Sequence, residues 1–164
     1  MIKKTVFALI AVMVVSAPFV VKLAQDKINR FNNFPFKCLS FTRYVLDDEG
    51  RKVHMNIAQD LRLYTSDRGY LLLNGNVVDG DKTSRLSRAI RLGNGTLVQG
   101  KTFTYEIKDI ESLDGDGSDD KIFQLLLNEY RTGSREFQID VFKIDKRTWL
   151  IRGPYAFINT CTRY

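Results

Sequence analysis

The clearest pattern along the chain is an alternation. Val53, Met55, Ile57, Leu61 and Leu63 fall on odd positions, interrupted by Gln59, while His54, Asn56, Asp60 and Arg62 fall on even ones. A period of two sustained from 53 to 63 predicts one long strand with a single buried face, with room for a bulge at the interruption. Phe36–Leu46, rich in aromatic and β-branched residues, predicts the strand before it, and Asp47-Asp48-Glu49-Gly50 the turn between them. Ser66-Asp67-Arg68-Gly69 turns the chain back into Tyr70–Val78, a hairpin by sequence. After a turn at Asp79–Lys82, Leu86, Ile90 and Leu92 alternate with Ser87, Ala89 and Arg91, with Arg88 on the apolar side. Gly93-Asn94-Gly95 reads as a tight turn into Phe103, Tyr105 and Ile107. Residues 36–110 therefore predict a meander of about five antiparallel strands.

The period then changes. Behind an acidic loop at Leu113–Asp120, the residues Ile122, Phe123, Leu126, Leu127 and Tyr130 are spaced as on a helix. The helix is expected over 121–131, capped by Ser118 or Asp119, with Asp120 in its first turn and Thr132-Gly133 at its end. Phe137, Ile139 and Val141 return to alternation. A hairpin at Asp145–Arg147 leads into Trp149–Ile151, Gly153-Pro154 bends the chain, and a last strand carries Phe157, Ile158 and Cys161. The expected fold class is β-dominated α+β with one helix. Either a curved antiparallel meander sheet packs the helix on one face, or the sheet forms a small, partly open barrel.

A different pattern precedes the strands. Lys3 and Lys4 are followed by Thr5–Val21 without a charge. As a helix that run is about 26 Å long, close to the roughly 30 Å of a hydrocarbon core. A cleaved signal peptide shares this layout, but the apolar run exceeds a signal core. Cutting after Ala17 would also place Pro18 next, and cutting after Ala24 would place Lys22 at the small-residue position. The expectation is an uncleaved anchor. The domain order is then a cytoplasmic tail over 1–4, a transmembrane anchor over 5–24, a juxtamembrane helix or linker over 25–35 ended by Pro35, and an exported β-rich domain over 36–164.

Charge changes the picture little. The net charge of +6 includes Lys3, Lys4 and Lys22; setting them aside leaves 22 basic against 19 acidic side chains. No basic run with interleaved aromatics is present, so direct nucleic-acid binding is not expected. Cys38 and Cys161 lie at the two ends of the domain. Paired, they would close a loop of roughly 124 residues, for which chain entropy gives about 5 kcal/mol as an upper value. A structural disulfide made in an oxidising compartment is the expectation, against two buried free thiols.

No catalytic constellation, metal site or cofactor motif is expected, and the ligand-binding residues are unknown at this level. His54, the one histidine, falls on the polar face of its strand and is a candidate pH sensor only because its side chain titrates near neutrality. Asp114, Asp116, Ser118 and Asp120 have the first spacings of a calcium loop. Asp119 replaces its glycine and Leu125 its bidentate glutamate, so a helix-capping loop is expected instead. Arg85, Arg88 and Arg91 repeat every three residues, as a phosphate stripe or as a solvated or partner-facing edge. Asn94-Gly95-Thr96 is a glycosylation sequon.

With the anchor, the Phe36-Lys37-Cys38 start, the strand-and-glycine middle and the closing Asn159-Thr160-Cys161 in view, the chain resembles the FidL-like inner-membrane proteins. More closely it resembles the MyfF/PsaF-type accessory proteins of fimbrial operons. The resemblance implies a single-pass inner-membrane protein with its domain in the periplasm. It also implies a heterodimer with the periplasmic domain of a one-span ToxR-like transcription regulator, which the accessory protein stabilises or tunes. By the same resemblance the barrel would be lipocalin-like, completed by the partner and able to take up a small apolar ligand. It implies an indirect role in fimbrial or adhesin gene expression and virulence, and no catalytic residues. A lipocalin-like ligand binder acting alone and a fimbrial chaperone-like factor are the alternatives.

Overall fold

A computed structural model describes residues 34–48, 50–98 and 100–164, which fall in a unit of the chain running from Asn32 to Tyr164. The expected anchor at 5–24 and most of the 25–35 linker lie outside the described residues. Among those described, no helix is long and apolar enough to cross a membrane.

Eight antiparallel strands run in sequence order around a closed barrel. Five are long: β1 (Phe36–Asp48), β2 (Arg51–Leu63), β3 (Gly69–Asp79), β4 (Lys82–Val98) and β5 (Thr102–Ser112). One helix, α1 (Asp120–Asn128), follows, and then three short strands, β6 (Glu136–Lys143), β7 (Thr148–Arg152) and β8 (Phe157–Arg163). The alternation seen in the sequence lines the interior. Met55, Ile57 and Leu61 of β2 face Tyr44, Thr42 and Cys38 of β1 and Val77, Gly75 and Leu71 of β3. Phe103, Tyr105, Phe137, Ile139, Val141, Trp149 and Ile151 complete the buried wall.

The sheet closes on itself, which decides between the two arrangements the sequence left open. It closes unevenly. Thr102–Glu106 of β5 pair with Asp140–Glu136 of β6, and β8 reaches β1 only at Cys38↔Arg163 and Leu39↔Thr162. The strands are complete at this end. At the other, β1 from Ser40 onward and β5 from Ile107 onward have, among the described residues, no strand between them. The loop at 113–119 and α1 occupy that span and turn Ile122, Phe123, Leu126 and Leu127 inward.

Two sequence expectations are corrected. Gly93-Asn94-Gly95 does not end a strand; β4 runs through it, with register shifts between Arg91 and Leu92 and between Gly93 and Thr96. A bulge and a turn make the same demand for positive φ, which Asn94 meets at 51°. Gly95 is required for space as well. A Cβ there would overlap the Ser66 carbonyl oxygen and the Tyr105 ring, and the Gly95 N–H donates to the Asp67 carbonyl at 3.1 Å. The helix also stops earlier than the expected Arg131. Its last helical residue is Asn128, capped at Glu129, and Arg131 is drawn off into a bridge with Phe137.

Cys38 and Cys161 form a disulfide across the β1–β8 seam, with Cα atoms 5.5 Å apart and a separation of 123 positions in sequence. Replacing both by alanine is expected to lower stability by about 2–5 kcal/mol, read as a shift in denaturant midpoint that reductant reproduces in the native protein. Gly95→Ala is expected to destabilise the barrel by more than the roughly 1 kcal/mol typical of point substitutions, measured the same way.

Candidate functional site

Two of the buried polar side chains gather partners inside the barrel, and both stand where the alternation is broken. The first is Gln59. Its strand position points inward, between Ser40 of β1 and Leu73 of β3, and a buried amide must find partners. Gln59 Nε2 donates to the Tyr44 hydroxyl. Its Oε1 accepts from the Tyr130 hydroxyl and from Asn159 Nδ2 at 3.0 Å. One residue thus ties β1, β2, the turn after α1 and β8 together. Burial, with Tyr44 beside it, holds the Tyr130 hydroxyl well above its ordinary pKa and therefore neutral. Against this network lies a cavity of about 10 Å³ lined by Ser40, Gln59, Tyr130, Asn159 and the disulfide. That is the size of one water. It is smaller than the small apolar ligand that the resemblance implies.

The second is Arg88. The period of two separates it from Arg85 and Arg91, so the three arginines share neither a phosphate stripe nor one solvated edge. Arg88 turns into the barrel and is 5% exposed, while Arg91 pairs outside with Asp109 at 2.8 Å. Arg88 is held from several directions. Its Nε bonds Asp116 at 3.0 Å, Nη1 pairs with Asp120 at 2.7 Å, and Nη2 donates to the Ser118 carbonyl at 3.1 Å. Its guanidinium carbon lies 4.4 Å from the centre of the Phe123 ring. The acidic loop is therefore an arginine clamp that seats α1 on the barrel. Asp119 caps the helix, accepting from the Lys121 N–H at 2.7 Å. No group of three or more His, Cys, Asp or Glu is placed to hold a metal among the described residues.

Burial opposes ionisation of Asp116. The Ser87 N–H, the Ser118 hydroxyl and the Arg88 guanidinium outweigh it and hold the carboxyl below the usual range. Because the folded pKa is lowered, the stabilisation is full above the unfolded value near 3.9 and is lost as pH falls through the folded one.

The remaining candidates stand apart from these two centres. His54 lies on the outer face between Val45 and Val78, and among the described residues its buried Nδ1 has no hydrogen-bond partner. Asn94 is exposed on the bulge and donates to Glu106 at 2.8 Å. Sequence reasoning missed the gathering role of Gln59 and the partners of Arg88. The signal for both was the same, a polar residue on an apolar face.

Arg88→Ala leaves Asp116 shielded and uncompensated, and is expected to cost about 3–5 kcal/mol. Arg88→Met combined with Asp116→Asn is expected to cost clearly less than the two single losses added, as a double-mutant cycle in denaturant will read. The stability of the native chain is expected to fall as pH drops below about 4, with a shallower slope in Asp116→Asn.

A family model described as "FidL-like putative membrane protein" matches residues 75–161, just over half of the chain. No curated protein and no solved structure matches. The matched stretch holds the Arg88 clamp, the bulge, α1 and one half of the disulfide. On that match, the chain belongs to the FidL-like family of membrane proteins.

Proposed function

We propose that this chain is a membrane-anchored periplasmic accessory protein that binds the periplasmic domain of a one-span ToxR-like transcription regulator and stabilises it or tunes its response. It performs no catalysis. Its effect on fimbrial or adhesin genes is indirect, through the regulator. Family membership supports the membrane setting, and the Cys38–Cys161 disulfide supports an oxidising compartment.

The observation that carries the reading is where large apolar side chains are left uncovered. Inside, the cavity beside Gln59 has the size of one water, and Gln59 and Arg88 gather polar partners around themselves. On the outside, Tyr155 of the β7–β8 turn is 75% exposed and Phe157 at the start of β8 is 66% exposed, with Tyr164 beyond the strand's end also exposed. Aromatic side chains displayed this way suit a protein interface. Two domains held in one membrane meet at high effective concentration, so a modest interface suffices.

The test is co-purification of the full-length chain with a co-expressed one-span ToxR-like regulator, from detergent-solubilised membranes. A one-to-one complex is expected, with raised thermal stability. A partner at 100 times its Kd contributes about 2.7 kcal/mol. Tyr155→Asp with Phe157→Asp is expected to weaken capture at least tenfold while leaving the unfolding midpoint of the chain nearly unchanged. A regulator that is not retained overturns the reading.

A further inference from the structure

We propose that the free edge of β1 binds a second copy of this chain, β1 against β1, antiparallel about Val45. The proposal does not depend on the regulator reading.

Beyond Leu39 the strand has β2 on one side and, among the described residues, no strand on the other. Across the seam the Tyr164 N–H donates to the Lys37 carbonyl at 3.3 Å. The odd residues of β1 therefore turn their amide groups to this edge, and in a regular strand Phe41, Arg43, Val45 and Asp47 do so next. Such a row is a template for another strand. Among the described residues neither the 113–119 loop nor α1 makes a backbone hydrogen bond to it, and α1 is too short to cover it. Nine helical residues span about 13 Å, whereas Ser40–Asp48 as a strand spans close to 30 Å, at about 3.4 Å per residue.

The side chains say what fits. On the outer face of this edge stand Phe41, 80% exposed, then Arg43, then Val45, 53% exposed, then Asp47. Among the described residues Arg43 has no hydrogen-bond or ion-pair partner. Asp47 Oδ1 accepts the Gly50 N–H at 2.7 Å, which fixes the carboxylate and leaves its second oxygen free. A two-fold axis through Val45 sets valine against valine and places Arg43 opposite Asp47 of the other copy, twice. Opposite charges in directly facing pairs stabilise a sheet, and like charges do the reverse. An axis through Arg43 would face arginine with arginine. One through Tyr44 would put Arg43 against Val45 and Phe41 against Asp47, with no ion pair. Of the three, only the Val45 register satisfies both charges, and it does so with the chain's own sequence, as an isologous contact requires.

Residues facing each other in a hydrogen-bonded antiparallel pair have Cα atoms about 5.5 Å apart, within disulfide range. Val45→Cys in the full-length chain, in membranes lacking any regulator, is therefore expected to give a covalent dimer on mild oxidation. Thr83→Cys, exposed on β4, is expected to give at least tenfold less. Adding Arg43→Asp to Val45→Cys is expected to cut the yield at least tenfold by facing carboxylate with carboxylate, and adding Asp47→Arg to that variant is expected to restore it. A Val45→Cys yield no higher than that of Thr83→Cys overturns the proposal. So does a yield that ignores the charge at 43, or one that the charge swap does not restore. Because no regulator is present, the result is independent of the co-purification above.

Discussion

The architecture follows from a mismatch in strand length. Five strands of 11 to 17 residues are followed by three of 5 to 8. Three short strands can complete the wall at one end of the barrel and not at the other. Closure therefore rests on the two residue pairs between β1 and β8, with the disulfide set beside them. A two-pair seam is a weak ladder on its own, and the covalent link is what makes it dependable. The rest is a response to the open end. A helix must fill the span, something must hold the helix, and the first strand keeps a stretch with one neighbour.

That geometry also explains where the polar chemistry went. Burying an arginine is costly unless its charge is paired and its N–H groups are bonded. Arg88 meets both conditions only because the loop before α1 brings Asp116, Ser118 and Asp120 to it. Gln59 likewise gathers Tyr44, Tyr130 and Asn159 where β1 and β8 begin to part. Both clusters hold the helix end of the barrel in place. The cavity beside the Gln59 cluster is the size of one water.

Much of this was legible in the sequence, and the parts that were not share a cause. Alternation placed the strands, and the switch to helical spacing placed α1 with its Asp119 cap, because both are local signals. Gly93-Asn94-Gly95 was read as a turn because a glycine-rich bulge and a turn look alike until the register of the neighbouring strand is known. Closure was left open because it depends on pairing Leu39 with Thr162, which no local pattern encodes. Arg88 was visible as a residue on the wrong face, but its partners lie about thirty positions away in a loop that resembles a metal site. The disulfide was within reach because two cysteines at opposite ends of a domain whose sequence reads as exported have few other uses.

The position of that disulfide has a consequence in time. Cys38 lies in the first strand made and Cys161 in the last. At about 5–20 residues per second, the second cysteine is synthesised roughly 6 to 25 s after the first. Throughout that interval Cys38 is a lone thiol on a β-strand with no seam to belong to. The bond cannot form early and trap a partial meander, because its partner arrives only after every other strand. The pair can therefore close only after the strands between its two cysteines have been synthesised.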